Sequence, residues 1–490
     1  MIQGQVGKSF SRKYLEPHLK KCRGKTLGEL DKTGLFASLA NTPRQKGVAG
    51  DVVEQSVLDL EPNPKQEPDI VVDGVKYEVK TTGVRKPKKG SFLWEAKEPM
   101  SITAVSPESI VSESYSTSHF WEKIAHLLFF YYHYDSTKPV TAFEYSRFPL
   151  LDYQFHEHGD FSLEEQEMLE GDWNRIRKFI RYLQENYKDK CEAEYPRISH
   201  DLRQTLMLLD TAPKWPNRPR FRFKRSFVSS ILQRHFAKKQ LEELPEKISD
   251  FMDLDDKCYE LEQRYRGKTV GELCSQFGIK VSCELKSIAE PIIIHMFDGK
   301  SKSMREVAFF HKVGVWGKSF VVTKRGGRTE DAKFFTIDFD EIRDPGLKFE
   351  DSQFYEFFST NRLLVAVFEE PAAASSLTAN VFVRFKTIVF DEDFIYSHIK
   401  PVWERIRELV LANKLKDVPV YGKNGRQIRN KNGELRSAPN FPKSSEGVVF
   451  VRGTGNDSKD KRECVNGVRM YYQQVWIRGD YIATLVSQAY

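Results

Sequence analysis

The string Arg23-Gly-Lys-Thr-Leu-Gly-Glu-Leu30 returns, with one change, as Arg266-Gly-Lys-Thr-Val-Gly-Glu-Leu273. A chain that repeats itself at domain distance is constrained to fold as related halves, since each copy needs equivalent surroundings. A second pair follows in the same order: Ser118-His-Phe-Trp-Glu-Lys-Ile124 and Ser352-Gln-Phe-Tyr-Glu-Phe-Phe358. Each precedes an apolar, strand-like run, at 127–132 and 363–368. Lys-Thr-x-Gly-Glu-Leu has the form of a capped helix start, so one match alone could be a reused local device. Two ordered matches point to duplication. The expectation is an α/β (α+β) chain of two related domains, 1–240 and 250–490, with a charged helical connection near 237–250. At 490 residues there is enough chain for two cores.

The first half carries a feature that the second lacks. In Glu67-Pro-Asp-Ile-Val-Val-Asp-Gly-Val-Lys-Tyr-Glu-Val-Lys80, the pair Asp73-Gly74 reads as a two-residue hairpin turn that needs positive φ at both positions. Folded there, Val72 faces Val75, Ile70 faces Tyr77, and Asp69 falls opposite Glu78. Period-two alternation puts Lys80 on the face of Glu78. Two carboxylates that close repel each other unless a cation lies between them. Hard oxygen ligands suit Mg²⁺, and a neighbouring ammonium helps to position a water. This is the layout of a metal-dependent phosphodiesterase. Upstream, Gly50-Asp-Val-Val-Glu54 opens an amphipathic helix from which Glu54 could supply a third carboxylate; a first-turn glutamate favoured by the helix dipole has the same spacing. Glu-x-Lys by itself is common, as Glu95-Ala-Lys97 and Glu284-Leu-Lys286 illustrate. Only the hairpin context separates Glu78 and Lys80 from these.

The net charge of +7 suits a polyanionic partner without requiring one. No apolar run reaches the roughly 20 residues of a membrane helix. Six cysteines without a CxxC pair read as reduced thiols, and the expected location is cytoplasmic. In the second half, the helix near 289–296 places Ile294 where Glu54 stands, and Lys123 aligns with Phe357. No Pro-Asp…Glu-x-Lys hairpin occupies the expected place. The second copy is expected to keep the fold and to bind rather than cut.

These residues together resemble the MutH mismatch-repair nicking endonuclease. The resemblance rests on Gly50-x-x-x-Glu54, Pro68-Asp69, Glu78-Val-Lys80, Lys123, and the segment Phe221-Arg-Phe-Lys-Arg-Ser-Phe227. The full length resembles the two-domain relatives of MutH, type IIE restriction endonucleases that cut at GATC, through Asn440-Phe-Pro-Lys443 and Gln474-Val-Trp-Ile-Arg-Gly-Asp480. It implies two MutH-like restriction-endonuclease-fold domains, the second a degenerate pseudo-copy. The first would cleave double-stranded DNA with Mg²⁺, and the second would bind another site as an allosteric activator. Asp69 and Glu78 would hold the metal with support from Glu54. Lys80 would orient or activate water, and Lys123 would contact the scissile phosphate or share that task. Lys214 would read a base, with Arg222 and Lys224 at or near the DNA; phosphate contact alone would also suit Lys214 and Lys224. Lys443, Arg452 and the basic run 423–431 would help the second domain hold DNA. A partner methyltransferase is expected of such a system.

The sequence also departs from the family. Val79 replaces a leucine, Phe450-Val-Arg-Gly-Thr454 keeps Arg452 without the family's histidines, and Arg222 replaces a tyrosine implicated in sensing adenine methylation. A nicking or modification-dependent endonuclease of this fold, or a non-catalytic DNA-binding protein, stays open as an alternative.

Overall fold

Asp73 and Gly74 take φ values of 46° and 86°, the two left-handed positions that let a two-residue turn match the twist of its strands. The hairpin closes strand β2 (Ile70–Val72) onto β3 (Val75–Arg85) in the expected register, Val72 against Val75 and Ile70 against Tyr77. In this computed structural model the described residues are 2–487 except 40–46, 62–67, 88–91, 137–139, 214, 238–239, 281–284, 328–329, 374, 423–424, 430–432, 434 and 456–459. They form two units. The first is made chiefly of Met1–Ser136, Val140–Lys257 and Phe297–Val315, and the second of Cys258–Met296 and Trp316–Tyr490. The segment Phe297–Val315 thus packs with the first unit although it lies beyond residue 250.

The first unit is built on a mixed sheet. β1 (Ser9–Phe10) runs parallel to β2, β3 runs parallel to β6 (His126–His133), and β7 (Leu150–Glu157) is antiparallel to β6. The short β4 (Glu95–Ala96) adds to the far end of β3. One face of this sheet, with Ile70, Val72, Tyr77, Val79, Leu128 and Phe130, packs on Leu15, Leu19, Leu27, Val52 and Val53 from the N-terminal helices. A second, antiparallel sheet has the order β5 (Met100–Ala104), β9 (Arg220–Phe223), β8 (Leu209–Ala212). It leads into the helix Arg225–Phe236.

The second unit has a sheet ordered β10 (Val315–Thr323), β12 (Arg362–Glu370), β13 (Val381–Ile388), and another ordered β11 (Ala332–Thr336), β19 (Gln473–Ile477), β16 (Val449–Gly453). Two small ribbons complete it, β14 (Asp417–Pro419) with β15 (Ser437–Pro439) and β17 (Glu463–Val465) with β18 (Val468–Met470). Its core gathers Phe354, Phe358, Leu363, Val365, Phe390, Ile395, Ile399 and Ile406.

Local geometry repeats between the units. Thr26 and Glu29 form a capping box, as do Thr269 and Glu272; such caps contribute about 1 kcal/mol each. Gly24 N–H bonds the Leu150 carbonyl and Leu27 N–H that of Phe148, while Gly267 bonds Phe382 and Val270 bonds Asn380. Ser118 caps the helix His119–Ile124 through Trp121 N–H, and Ser352 caps Gln353–Thr360 through Tyr355 N–H. The β6–β7 and β12–β13 ladders each slip once, at Tyr131/Tyr132 and at Val367/Phe368.

Among the described residues of 237–250 there is no helix of the kind that the charges suggested. Helix Arg225–Phe236 stops, and the next begins at Phe251. Leu244 precedes Pro245, which disfavours helical backbone there. Glu242 instead bridges to Val307 and accepts the Lys300 and Ser301 N–H groups at 2.6 and 2.7 Å.

One buried group on β7 ties this unit to pH. His156 is 2% exposed between Phe129 and Phe161, and burial pushes its pKa down to about 4. The unfolded chain takes up a proton near pH 6.5, while the folded ring stays neutral until about pH 4. Stability is therefore complete above pH 6.5 and falls between those values by roughly 3 kcal/mol. His156→Gln is expected to flatten the dependence of the urea midpoint on pH between 7 and 5; an unchanged slope would rule His156 out as its source.

Candidate active site

Glu78 sits in the middle of the site. It is 5% exposed, with Oε1 accepting Lys80 Nζ and Oε2 accepting Lys123 Nζ, each at 2.6 Å. Strand alternation puts Lys80 on its face. Lys123 arrives from the helix His119–Ile124, which lies just before β6 in sequence and is fixed by the Ser118 cap. The parallel register pairs Glu78 with Leu127, so the helix that delivers Lys123 ends beside the strand carrying Glu78. Asp69 precedes β2, and its Oδ2 accepts Val79 N–H at 2.8 Å. That bond holds the Asp69 carboxylate against the β3 backbone, next to Glu78.

Glu54 reaches the group by a local irregularity. The α-helix Val48–Val52 continues as a π-turn, Val53–Val57, closed by Leu58 N–H on the Val53 carbonyl at 2.9 Å. A π-turn adds a residue and rotates the following side chains, a device common at functional sites. Val53 and Val57 face the core while Glu54 stays partly accessible. Burial first, then the negative Asp69, pushes the Glu54 pKa up to about 7. Asp69 is raised too, by burial and then by Glu78.

Three carboxylates thus share the site with two ammonium groups, and two of the acids resist ionisation. Mutually repelling acids of this kind suit a divalent cation with hard oxygen preferences. Among the described residues, no three His, Cys, Asp or Glu side chains already converge as a closed metal cage, and both Glu78 oxygens are turned to lysines. Asp69 is the acid that acts most on Glu54 electrostatically, and Glu78 acts on both.

The remaining candidates have partners of their own or lie outside the described residues. Lys214 lies outside the described residues, as do 423, 424, 430 and 431 of the basic run. Arg222 grips the fully buried Asp210 with two bonds, Nε to Oδ1 at 2.7 Å and Nη2 to Oδ2 at 2.9 Å. Lys224 is 4% exposed and donates to the Leu206 carbonyl at 2.5 Å. Burial would raise Asp210, but the Arg222 guanidinium outweighs it and holds the acid low. Neighbouring Asp172 caps Met207, Leu208 and Leu209 N–H and meets only one guanidinium nitrogen, Arg175 Nη1 at 3.5 Å, and burial leaves its pKa raised. Sequence reasoning missed this underlayer; a lone acid within Leu208-Leu-Asp-Thr211 was the available signal. In the second unit, Lys443 follows Asn440, which binds backbone at 414 and 416, and Phe441, which stacks on Phe339. Arg452 pairs with Asp331 at 2.8 Å. The decoy Glu95 bridges Arg85 and Arg225 at 3.0 Å each, a structural clamp.

Because an acid with a raised pKa opposes folding above that pKa, Glu54→Gln is expected to raise the melting temperature of metal-free protein at pH 8 by a few degrees. The gain should shrink as pH falls through 7 and vanish toward 4.5. Mg²⁺ should stabilise the native protein more than the Glu54→Gln or Asp69→Asn variants. Equal Mg²⁺ shifts in all three would remove these carboxylates from the metal site.

The comparisons agree with the geometry. Residues 58–166 match the family model described as the DNA mismatch repair enzyme MutH, a segment that contains Asp69, Glu78, Lys80 and Lys123. Over 465 residues, 86% of this chain and 88% of the other, the sequence is 22% identical to the type II restriction enzyme Sau3AI of Staphylococcus aureus. No helix among the described residues is long and apolar enough to cross a membrane. The hairpin cluster lies inside the matched segment and the similarity runs through both units, so the chain is similar to the MutH-like type II restriction endonucleases.

Proposed function

We propose that this endonuclease hydrolyses double-stranded DNA at GATC with Mg²⁺, using the first unit to cut and the second to bind another DNA site as an activator. The observation that carries the cutting assignment is Glu78 held between Lys80 and Lys123, with Asp69 fixed beside it. Asp69 and Glu78, with Glu54, would hold the metal. Bound there, Mg²⁺ would acidify water and offset charge on the phosphate. Lys80 orients the attacking water in line with the scissile bond, and Lys123 binds a non-bridging oxygen whose charge grows in the transition state. Both ammonium groups are already positioned by one carboxylate, so ordering them on substrate costs little side-chain entropy.

Support for a non-cutting second unit comes from the matching elements. Lys123 and Phe357 are each five residues beyond the capping serine. Phe357 packs on Trp316 of β10, with ring centroids 5.5 Å apart. An aromatic contact therefore stands where the first unit has the Glu78–Lys123 ion pair, and Lys318 follows Trp316 as Lys80 follows Glu78. Such a unit keeps the scaffold without the acids that cleavage needs.

Plasmid carrying GATC sites, unmethylated or adenine-methylated, tests the reading. Discrete fragments ending at GATC are expected with Mg²⁺ on unmethylated DNA. Glu78→Gln and Lys80→Ala should each lose at least about a hundredfold in rate while still binding DNA. Single-strand nicks, or cutting confined to methylated DNA, would replace the restriction role with a nicking or modification-dependent one. Absence of cutting would leave DNA binding alone.

A further inference from the structure

The π-turn that carries Glu54 is held by segments near the N-terminus. Ser56 is fully buried, and its Oγ accepts the Lys32 N–H at 3.0 Å. The Val57 carbonyl is bonded by His18 Nε2 at 2.9 Å, so that ring nitrogen carries the proton. Gln5 Nε2 donates to the Leu58 carbonyl at 3.2 Å, and the Glu54 carbonyl takes the Leu60 N–H at 2.9 Å. A turn this wide puts backbone groups out of step with α-helical pairing, and it persists where neighbouring groups take them up.

The anchor at Ser56 depends on where the preceding helix stops. Leu27–Leu30 starts from the Thr26–Glu29 capping box and is only 4 residues long. Asp31 follows it and accepts the Leu35 and Phe36 N–H groups at 3.1 and 3.0 Å, which turns the chain and leaves the Lys32 N–H for Ser56. In the second unit the same box opens a helix that runs on from Val270 to Phe277, with Cys274 in the place of Asp31. The helix Leu285–Met296, where Ile294 is expected at the position of Glu54, is α-helical throughout. The π-turn of that unit, Ile395–Ile399, lies elsewhere in its chain. Short helix, hydroxyl anchor and π-turn thus occur together in the unit that carries the acids.

We propose that Ser56 is a positioning residue for Glu54. Its bond to Lys32 holds the π-turn in the register that brings Glu54 to the acid cluster, and so sets the affinity of the site for a divalent cation. His18 steadies the same turn at its last residue. This rests on the reading above in which Glu54 supports the metal.

The test titrates Mg²⁺ alone into the full chain at pH 8 and follows binding by calorimetry, with no cleavage involved. Ser56→Ala is expected to weaken Mg²⁺ binding on the order of fivefold, the worth of one net hydrogen bond. Ser56→Cys fills the same space with a poor acceptor and should reproduce the loss with less disturbance of packing. In a Glu54→Gln background either change should have no further effect, because both act through one carboxylate. Ser162→Ala removes the cap of the helix Leu163–Tyr187; it should lower the melting temperature with Mg²⁺ affinity unchanged, which separates lost stability from lost positioning. Native Mg²⁺ affinity in both Ser56 variants, beside a loss in Glu54→Gln, would overturn the inference and leave the metal reading standing. Equal weakening with and without Glu54, or weakening by Ser162→Ala, would assign the effect to general loosening and overturn it as well. No loss of Mg²⁺ affinity in Glu54→Gln would overturn that metal role together with this inference.

Discussion

The parallel pairing of β3 with β6 is the constraint on which the candidate site depends. Parallel neighbours cannot be joined by a tight turn, so the chain must leave the sheet and return from the other end. The last piece of that return is the helix His119–Ile124, and it brings Lys123 to the buried Glu78. The antiparallel β2–β3 hairpin fixes the other side, since its positive-φ turn sets the register that puts Asp69 next to Glu78. Two ladders of opposite sense thus meet on one strand and place acid and ammonium groups within bonding distance. A slip of one residue in β3 would turn Glu78 and Lys80 into the hydrophobic core and expose Val79.

Charge burial divides into two kinds in the first unit. At the hairpin, Glu54 and Asp69 are held in positions where ionisation is disfavoured, an arrangement that opposes folding and that a hard cation would relieve. Beneath the second sheet, Asp210 is matched by Arg222, and Asp172 by three backbone N–H groups. Those acids hold the scaffold, and the Arg222 and Lys224 side chains are committed to that layer. In the second unit aromatic rings pair instead, at Trp316 and Phe357 and again at Phe450 and Trp476.

Much of this was legible in the sequence, and for identifiable reasons. Asp73-Gly74 announces its own turn, and a turn plus strand alternation determines which residues share a face. The Thr-x-Gly-Glu boxes are closed by bonds three residues apart, so both repeats were readable as helix starts. The charged stretch at 237–250 misled, because composition alone does not register Pro245 or the bridge from Glu242 to Val307.

What the chain determined by itself is therefore the short-range part: hairpin, caps, the repeated order of capped helix starts, and the acids and lysines that the hairpin puts on one face. Tertiary structure decided the rest. Only packing revealed the π-turn under Glu54, the two lysines on a single carboxylate, the burial of Lys224, and the chelation of Arg222 by Asp210. The physical reason is that local hydrogen bonds are written in residues a few positions apart. A side chain's partner, burial and proton affinity depend on what remote segments bring against it, such as Leu206 18 residues from Lys224 or Glu78 45 residues from Lys123.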